Sequence, residues 1–307
     1  MPKLIVFLIT RDRSRVFKFE DFKSLLTNKD IEISLVHDLN EAIDLSPDLI
    51  ISKFFDVIEF QTGAHDEVER FLLEKCVKLR EIKSINNFSV LTQLTDRAHE
   101  LIFSQRVVER IESNISCIIP SYTIINNSSE FDRIKKYPTI IKSLNSHGPT
   151  AKLHECTVLL QKEDFQIINR YPIISQEFLD HNAVCIKTYV IGDHTHVTQI
   201  DSIDNTRNIP TSFSFKTKNS QKCSTGQIQL SPDEVSSIKR FCQEFRKYSN
   251  LDIFNLDLLL LERNAVSKEI KKIALIDLNI FPTCKNVPDY HKRFYELISK
   301  SMNIKFE

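Results

Sequence analysis

The residues best placed to do chemistry in this 307-residue chain are two aspartates and an asparagine on two apolar strands. In "IALIDLNIFP" (273–282), Asp277 and Asn279 are two positions apart and so share one face of a β-strand. In "LDIFNLDLLLLE" (251–262), Asp257 is set among Phe254, Leu256, Leu258, Leu259, Leu260 and Leu261. A buried carboxylate there costs several kcal/mol, roughly, unless donors or a cation satisfy it. Asp and Asn ahead of Pro282 also suit a strand that simply ends in a turn, and that reading stays open. A polar stretch, "ERNAVSKEIKK" (262–272), predicts a hairpin that brings Asp257 toward Asp277 and Asn279. Three oxygen donors from two strands suit Mg²⁺, which also takes substrate phosphate oxygens. Repulsion between the two aspartates predicts that removing Asp277 leaves a folded chain, and even a more stable one.

Strands and helices must carry these groups. Residues 3–10, 31–37 and 48–54 read as strands, 19–28 as a helix and 66–82 as an amphipathic helix. The first ninety residues, roughly, predict a small α/β domain with a parallel sheet. Residues 91–111 predict a further helix. Residues 117–130 predict strand, loop and cap; 137–144, 156–161 and 171–179 predict strands, with a turn-rich loop over 146–155. Residues 183–203 predict an antiparallel hairpin turning at Gly192-Asp193. Residues 204–230 are polar and read as irregular. Residues 231–250 predict a helix with Ser231 as N-cap, Pro232 at N1 and Glu234 at N3, and 290–302 a last helix.

Composition narrows the function classes. With 41 basic and 41 acidic residues the net charge is zero, which argues against a bulk nucleic-acid binder or a polybasic membrane protein. The apolar start, "LIVFLIT", is too short for a membrane span, and no later run reaches that length. The seven cysteines are odd in number and never spaced C-x-x-C, so reduced thiols and a cytoplasmic location are expected. There are 4 glycines and neither a G-x-G-x-x-G nor a Walker-type loop, so a nucleotide would need another kind of site.

One constellation is specific. Gln176, Glu177-Phe178, His181-Asn182-Ala183-Val184, Lys187 and Ile191-Gly192, followed by "LIDLNIFP" (275–282), resemble the inositol 1,3,4-trisphosphate 5/6-kinases of the ATP-grasp superfamily. "IISKFFDVI" (50–58), "LTDRAHEL" (94–101) and "YPTIIKSLNSHG" (137–148) resemble further segments of that family in chain order. The resemblance implies an α/β ATP-grasp fold. Its parts would be an N-terminal α/β domain over 1–92, a central subdomain over 93–176 and a C-terminal subdomain over 177–307. ATP would lie between two antiparallel sheets.

The resemblance also implies roles. Arg97, Lys142, Lys187 and Ser202 match ATP contacts, and Gln176, Glu177, Phe178 and Leu179 match the hinge that holds adenine. Asp257, Asp277 and Asn279 match ligands for Mg²⁺, two ions being expected. Arg13, Lys53, His154, Lys187 and Asn279 match the grip on inositol phosphates, and Lys187 and His154 are the expected catalytic residues. Arg11 or Arg15 could replace Arg13, and His147 competes with His154. The chain departs from the family where Asn255 replaces a Gly, Thr283 a Gly, and Ile200-Asp201 stand where a substrate Arg is usual; Arg207 is a candidate to compensate.

The physics of the lysines agrees. Lys142 follows Ile140-Ile141 and Lys187 lies among apolar residues, and an inward lysine on such strands needs an anion. The expected activity is ATP- and Mg²⁺-dependent phosphorylation of an inositol tris- or tetrakisphosphate by a monomer, with no nucleic-acid or membrane partner. The alternatives are another ATP-grasp carboxylate–amine ligase, or a weakly active nucleotide-binding scaffold.

Overall fold

The computed structural model describes residues 3–25, 31–53, 56–57, 81–145, 155–205, 208–216, 229–264, 269–284 and 287–304. The unbroken apolar run Ile5–Ile9 has no exposed side chain, as a strand covered on both faces requires. It belongs to β1 (Lys3–Leu8), which lies between β2 (Ile31–Val36) and β3 (Leu49–Ser52). Both pairings are parallel, and β4 (Ser84–Ile85) adds a parallel edge.

The charge run after β1 is helical. Thr10 accepts from the Arg13 N–H and caps α1 (Arg11–Phe17). Lys18, at φ 54°, breaks the chain into α2 (Phe19–Leu25). A third short helix, α3 (Leu39–Asp44), was not foreseen; Asp38 caps it through the Glu41 N–H. The helix expected over 66–82 falls almost wholly outside the described residues.

The second sheet has the order β11 (His194–Asp201), β10 (Val184–Ile191), β13 (Ile253–Arg263), β14 (Ile270–Ile280), β5 (Ser116–Ile118). Its first three pairings are antiparallel, and β5 closes the edge in parallel. The hairpin turns at Gly192-Asp193 as its sequence predicts. The third sheet is antiparallel throughout: β12 (Phe213–Lys216), β8 (Glu155–Leu159), β7 (Thr139–Ser143), β9 (Ile173–Glu177), β6 (Tyr122–Ile125). β12 arises within the stretch read as irregular. Thus β5 lies in the sheet of the C-terminal segment, and β12 in the sheet of the central one.

Helices cover the second sheet. A short turn, α4 (Phe88–Leu91), precedes α5 (Arg97–Val108), so the helix expected over 91–111 is confined by its Asp96 cap. α6 (Pro232–Ser249) carries the foreseen capping box, with Ser231 and Glu234 bonded in both directions. α7 (Tyr290–Met302) ends the described fold.

One core runs through β1–β4, α6, α7 and the second sheet. Phe17 joins its halves, with ring centres 5.0 Å from Phe294, 5.9 Å from Tyr290 and 6.3 Å from Phe281. The third sheet keeps a smaller core around Phe131, Ile141, Leu159 and Ile173. Among the described residues no helix is long and apolar enough to cross a membrane. The described cysteines are free thiols.

Candidate active site

Three adjacent strands set one polar row across the second sheet. Lys187 on β10 is in register with Asp257 on β13, and Asp257 with Asp277 on β14. The next row on the same face holds Asn255 opposite Asn279. Asp257 pairs with Asp277 but Leu258 pairs with Leu275, so Ile276 is one residue more than β13 can match. Such a bulge re-aims the strand and frees a carbonyl from the ladder. The Ile276 carbonyl accepts from Lys142 Nζ at 3.1 Å, across from β7 of the third sheet.

Every carboxylate oxygen of the pair has a donor. Lys187 Nζ is 3.3 Å from each oxygen of Asp257, and Asn255 Nδ2 donates to its Oδ1 at 2.7 Å. Arg97, the first residue of α5, donates to Asp277 Oδ1 at 2.6 Å. Asn279 Nδ2 donates to Asp277 Oδ2 at 2.8 Å and to Asn255 Oδ1 at 2.9 Å. Asn255, a departure from the family pattern, thus ties the two strands' polar groups together. No signal in the sequence other than its spacing from Asp257 points to that.

The two acids differ electrostatically. Burial pushes the Asp257 carboxyl above its ordinary range, and the neighbouring Asp277 adds to this against Lys187. Burial acts on Asp277 too, but Arg97 and Lys142 outweigh it and hold that carboxyl low. Burial works against the Lys187 charge, yet Asp257 keeps its pKa raised. The Arg97–Asp277 contact also reverses the stability expected of removing Asp277. The side chains are only 13 % and 20 % exposed, so losing the carboxylate leaves a poorly solvated guanidinium.

Lys142 Nζ also donates to Gln176 Oε1 at 3.0 Å, so Gln176 holds that lysine with its side chain. A narrow cleft between the sheets is lined by Arg97, Glu100, Lys142, Gln176, Ile276 and Asp277. Two buried donors there, Arg97 Nε and Gln176 Nε2, have no partner among the described residues. Buried polar groups are nearly always paired, so these point to an acceptor-rich ligand.

The segment after β9 forms the rim. The Glu177 and Phe178 N–H groups donate to Ser121 O (2.8 Å) and Pro138 O (3.2 Å). The Glu177 side chain is engaged by Ser121 and Lys136. His181 was quoted in the motif without a role. Its Nδ1 bonds to Leu179 O (2.7 Å) and its Nε2 to Ser202 Oγ (2.8 Å). Burial lowers its pKa, so the ring is neutral, with Nδ1 donating and Nε2 accepting from the Ser202 hydroxyl.

The N-terminal cations lie at the end of β14. Lys53 Nζ donates to Ile280 O at 3.3 Å, one residue beyond Asn279. Arg13 donates to Asp56 Oδ2 through Nε (3.3 Å) and Nη2 (3.1 Å), and Lys53 lies 3.9 Å from the same oxygen. Asp56 was not foreseen. Burial pulls the Lys53 pKa down to about 8, against the attraction of Asp56. His147, His154 and Arg207 lie outside the described residues.

Facing sheets that each present a lysine to a cleft, with an aspartate pair on one wall, define an ATP-grasp protein. The fold agrees with solved examples. An ADP complex of N5-carboxyaminoimidazole ribonucleotide synthetase matches with a TM-score of 0.61 at 11% identity, covering 100% of this chain and 78% of that one. A RiPP-associated ATP-grasp ligase of Chryseobacterium gregarium, in complex with ADP, matches at 0.57 and 13% identity, covering 98% and 97%.

The chain belongs to the family of the inositol 1,3,4-trisphosphate 5/6-kinase ATP-grasp domain, which matches residues 112–300. Among its relatives, inositol-tetrakisphosphate 1-kinase 1 of Arabidopsis thaliana is 23% identical, over 84% of this chain and 83% of that protein. Inositol-tetrakisphosphate 1-kinase of Danio rerio is also 23% identical, over 97% and 78%.

Does the donor set suit the metal this family implies? The row offers two carboxylates and an amide, all oxygen donors. Burial pushes the nearby Cys185 thiol far up, which removes it as a thiolate ligand. Among the described residues no cluster of three or more His, Cys, Asp or Glu side chains could hold a metal by itself. A sparse oxygen set fits Mg²⁺, which keeps waters and completes its shell with substrate phosphates.

Proposed function

We propose that the chain transfers the γ-phosphoryl group of ATP to a hydroxyl of an inositol tris- or tetrakisphosphate, with Mg²⁺ held by Asp257, Asp277 and Asn279. The observation that carries this reading is Lys53 bonded to the carbonyl of Ile280, next to the proposed ligand Asn279. It brings a second cationic cluster, Lys53 with Arg13, to the end of the metal strand. A nucleotide alone does not need that cluster; a second polyanion does.

In this reading the adenine edge meets the Leu179 N–H at the segment 177–179. Neutral His181 fixes the Leu179 carbonyl and leaves the Ser202 oxygen free to accept from a sugar hydroxyl. Lys142 from one sheet and Lys187 from the other approach the phosphates, with Gln176 steering Lys142. Arg97 adds a third cation. When bound, Mg²⁺, as two ions in this reading, neutralises charge on the transferring group. The chain supplies position and fixed positive charge, which is most of what phosphoryl transfer asks of a protein. No side-chain nucleophile is needed. Lys187 and His154 are the proposed catalytic pair, and Arg13, Lys53, His154, Lys187 and Asn279 the proposed grip on the inositol phosphate.

Purified protein with γ-labelled ATP, Mg²⁺ and a panel of inositol tris- and tetrakisphosphates tests this. Transfer of label to at least one isomer is expected. ATP binding without transfer to any isomer would overturn the kinase reading.

A further inference from the structure

Arg97 sits where a cation on Asp277 would have to go. Its Nη1 lies 2.6 Å from Asp277 Oδ1, while Asp277 Oδ2 is taken by Asn279. Around the row, Arg97, Lys142 and Lys187 face Asp257, Asp277 and Glu100. Glu100 is 4% exposed, lines the same cleft and adds to the field on Arg97. Three cations thus balance three acids with the chain's own groups. A divalent cation added alone would meet a guanidinium on its ligand and an excess of positive charge.

A polyphosphate changes both conditions. It brings several negative charges, and the unpartnered Arg97 Nε already points to a missing acceptor. A guanidinium with one carboxylate contact and an unused donor is suited to move onto phosphate oxygens.

We propose that Arg97 and a divalent cation are alternative partners of Asp277. Nucleotide phosphates draw Arg97 away, so the cation is accepted only with the nucleotide. Arg97 is then the element that couples the two binding events, in addition to any contact it makes with ATP. This rests on the proposed ATP and Mg²⁺ reading, but its test does not depend on turnover.

The test is a titration with Mn²⁺ followed by electron paramagnetic resonance. Wild-type protein should bind Mn²⁺ weakly alone and at least about a hundredfold more tightly with a non-hydrolysable ATP analogue, a coupling at the strong end of the usual range. Arg97→Met should bind Mn²⁺ without nucleotide about tenfold or more tighter than wild type, and adding Asp277→Asn should abolish the gain. Wild type that binds Mn²⁺ equally well with and without the analogue overturns the proposal. So does an Arg97→Met protein, folded by circular dichroism, that gains no Mn²⁺ affinity. Should that variant fail to fold, the wild-type comparison alone decides. Calorimetry of ATP without metal is scored separately: no binding there removes the kinase reading, while the Mn²⁺ gain of Arg97→Met needs no nucleotide.

Discussion

Lys53 is held at a cost to the fold. Its pKa of about 8 lies below the ordinary 10.5, so between those values the unfolded chain carries a proton that the folded chain lacks. Stability therefore rises with pH across that window, and at pH 7 the buried charge costs about 3 kcal/mol. Lys53→Met should raise stability at pH 7 by about 1–3 kcal/mol, an advantage that shrinks as pH rises past 8; chemical denaturation at pH 7 and 10 reads it. The same change should lower kcat/KM for the inositol phosphate about tenfold to a hundredfold, since a bond to a charged group is worth roughly 1.5–3 kcal/mol, and leave the ATP Kd nearly unmoved. Lys142→Met should do the reverse and weaken ATP first. Equal small effects of both on ATP affinity would remove the two-substrate reading. For Asp277→Ala, metal-dependent transfer should be lost. Stability should fall by about 2–4 kcal/mol through the stranded Arg97, and an unchanged melting temperature would show that this ion pair does not hold.

At the scale of elements, Gly192 is the position where backbone and packing agree. It turns the β10–β11 hairpin at φ 55°, and an added Cβ would come 3.1 Å from Leu297 Cδ1 of α7. Gly192→Ala should cost about 1–2 kcal/mol from the left-handed backbone alone, with more from displaced Leu297. A urea midpoint equal to wild type would contradict this. The hairpin, the capped helix α6 and the β13–β14 pair were legible because each rests on local chemistry: a Gly-Asp turn, a capping box, a polar loop between apolar runs. Thr10 was a cap signal for α1 hidden in a charge run that reads equally well as solvated. The bulge at Ile276 was not legible, because a register shift depends on the partner strand. Asp56 was missed because its partner Arg13 lies on another element, and the role of Asn255 because it joins Asp257 of its own strand to Asn279 of the next. The opening aspartates and lysines were readable since burying charge among leucines is costly wherever it occurs. β12 was lost in a polar stretch because an edge strand needs little apolar sequence.

For the whole molecule, the division of the core governs how it unfolds. Phe17 ties α1 to α7 and to the end of β14, so Phe17→Ala should cost about 3–5 kcal/mol and loosen the N-terminal and second sheets together. Phe131→Ala should cost a similar amount but act on the third sheet, whose smaller core it centres. Hydrogen exchange resolved by peptide distinguishes them: protection lost in β1 and β13 for the first, in β7 and β9 for the second. The shared core has a mechanical consequence as well. The parallel sheet and the aspartate-bearing sheet share one core and should move as one rigid cradle, which would fix the spacing from Lys53 to Asp277. The third sheet, with a smaller core of its own, is the part expected to open and close as a lid above that cradle. If ATP binds between lid and cradle as proposed, it should set the closure, and the second substrate should meet a surface whose shape is already decided.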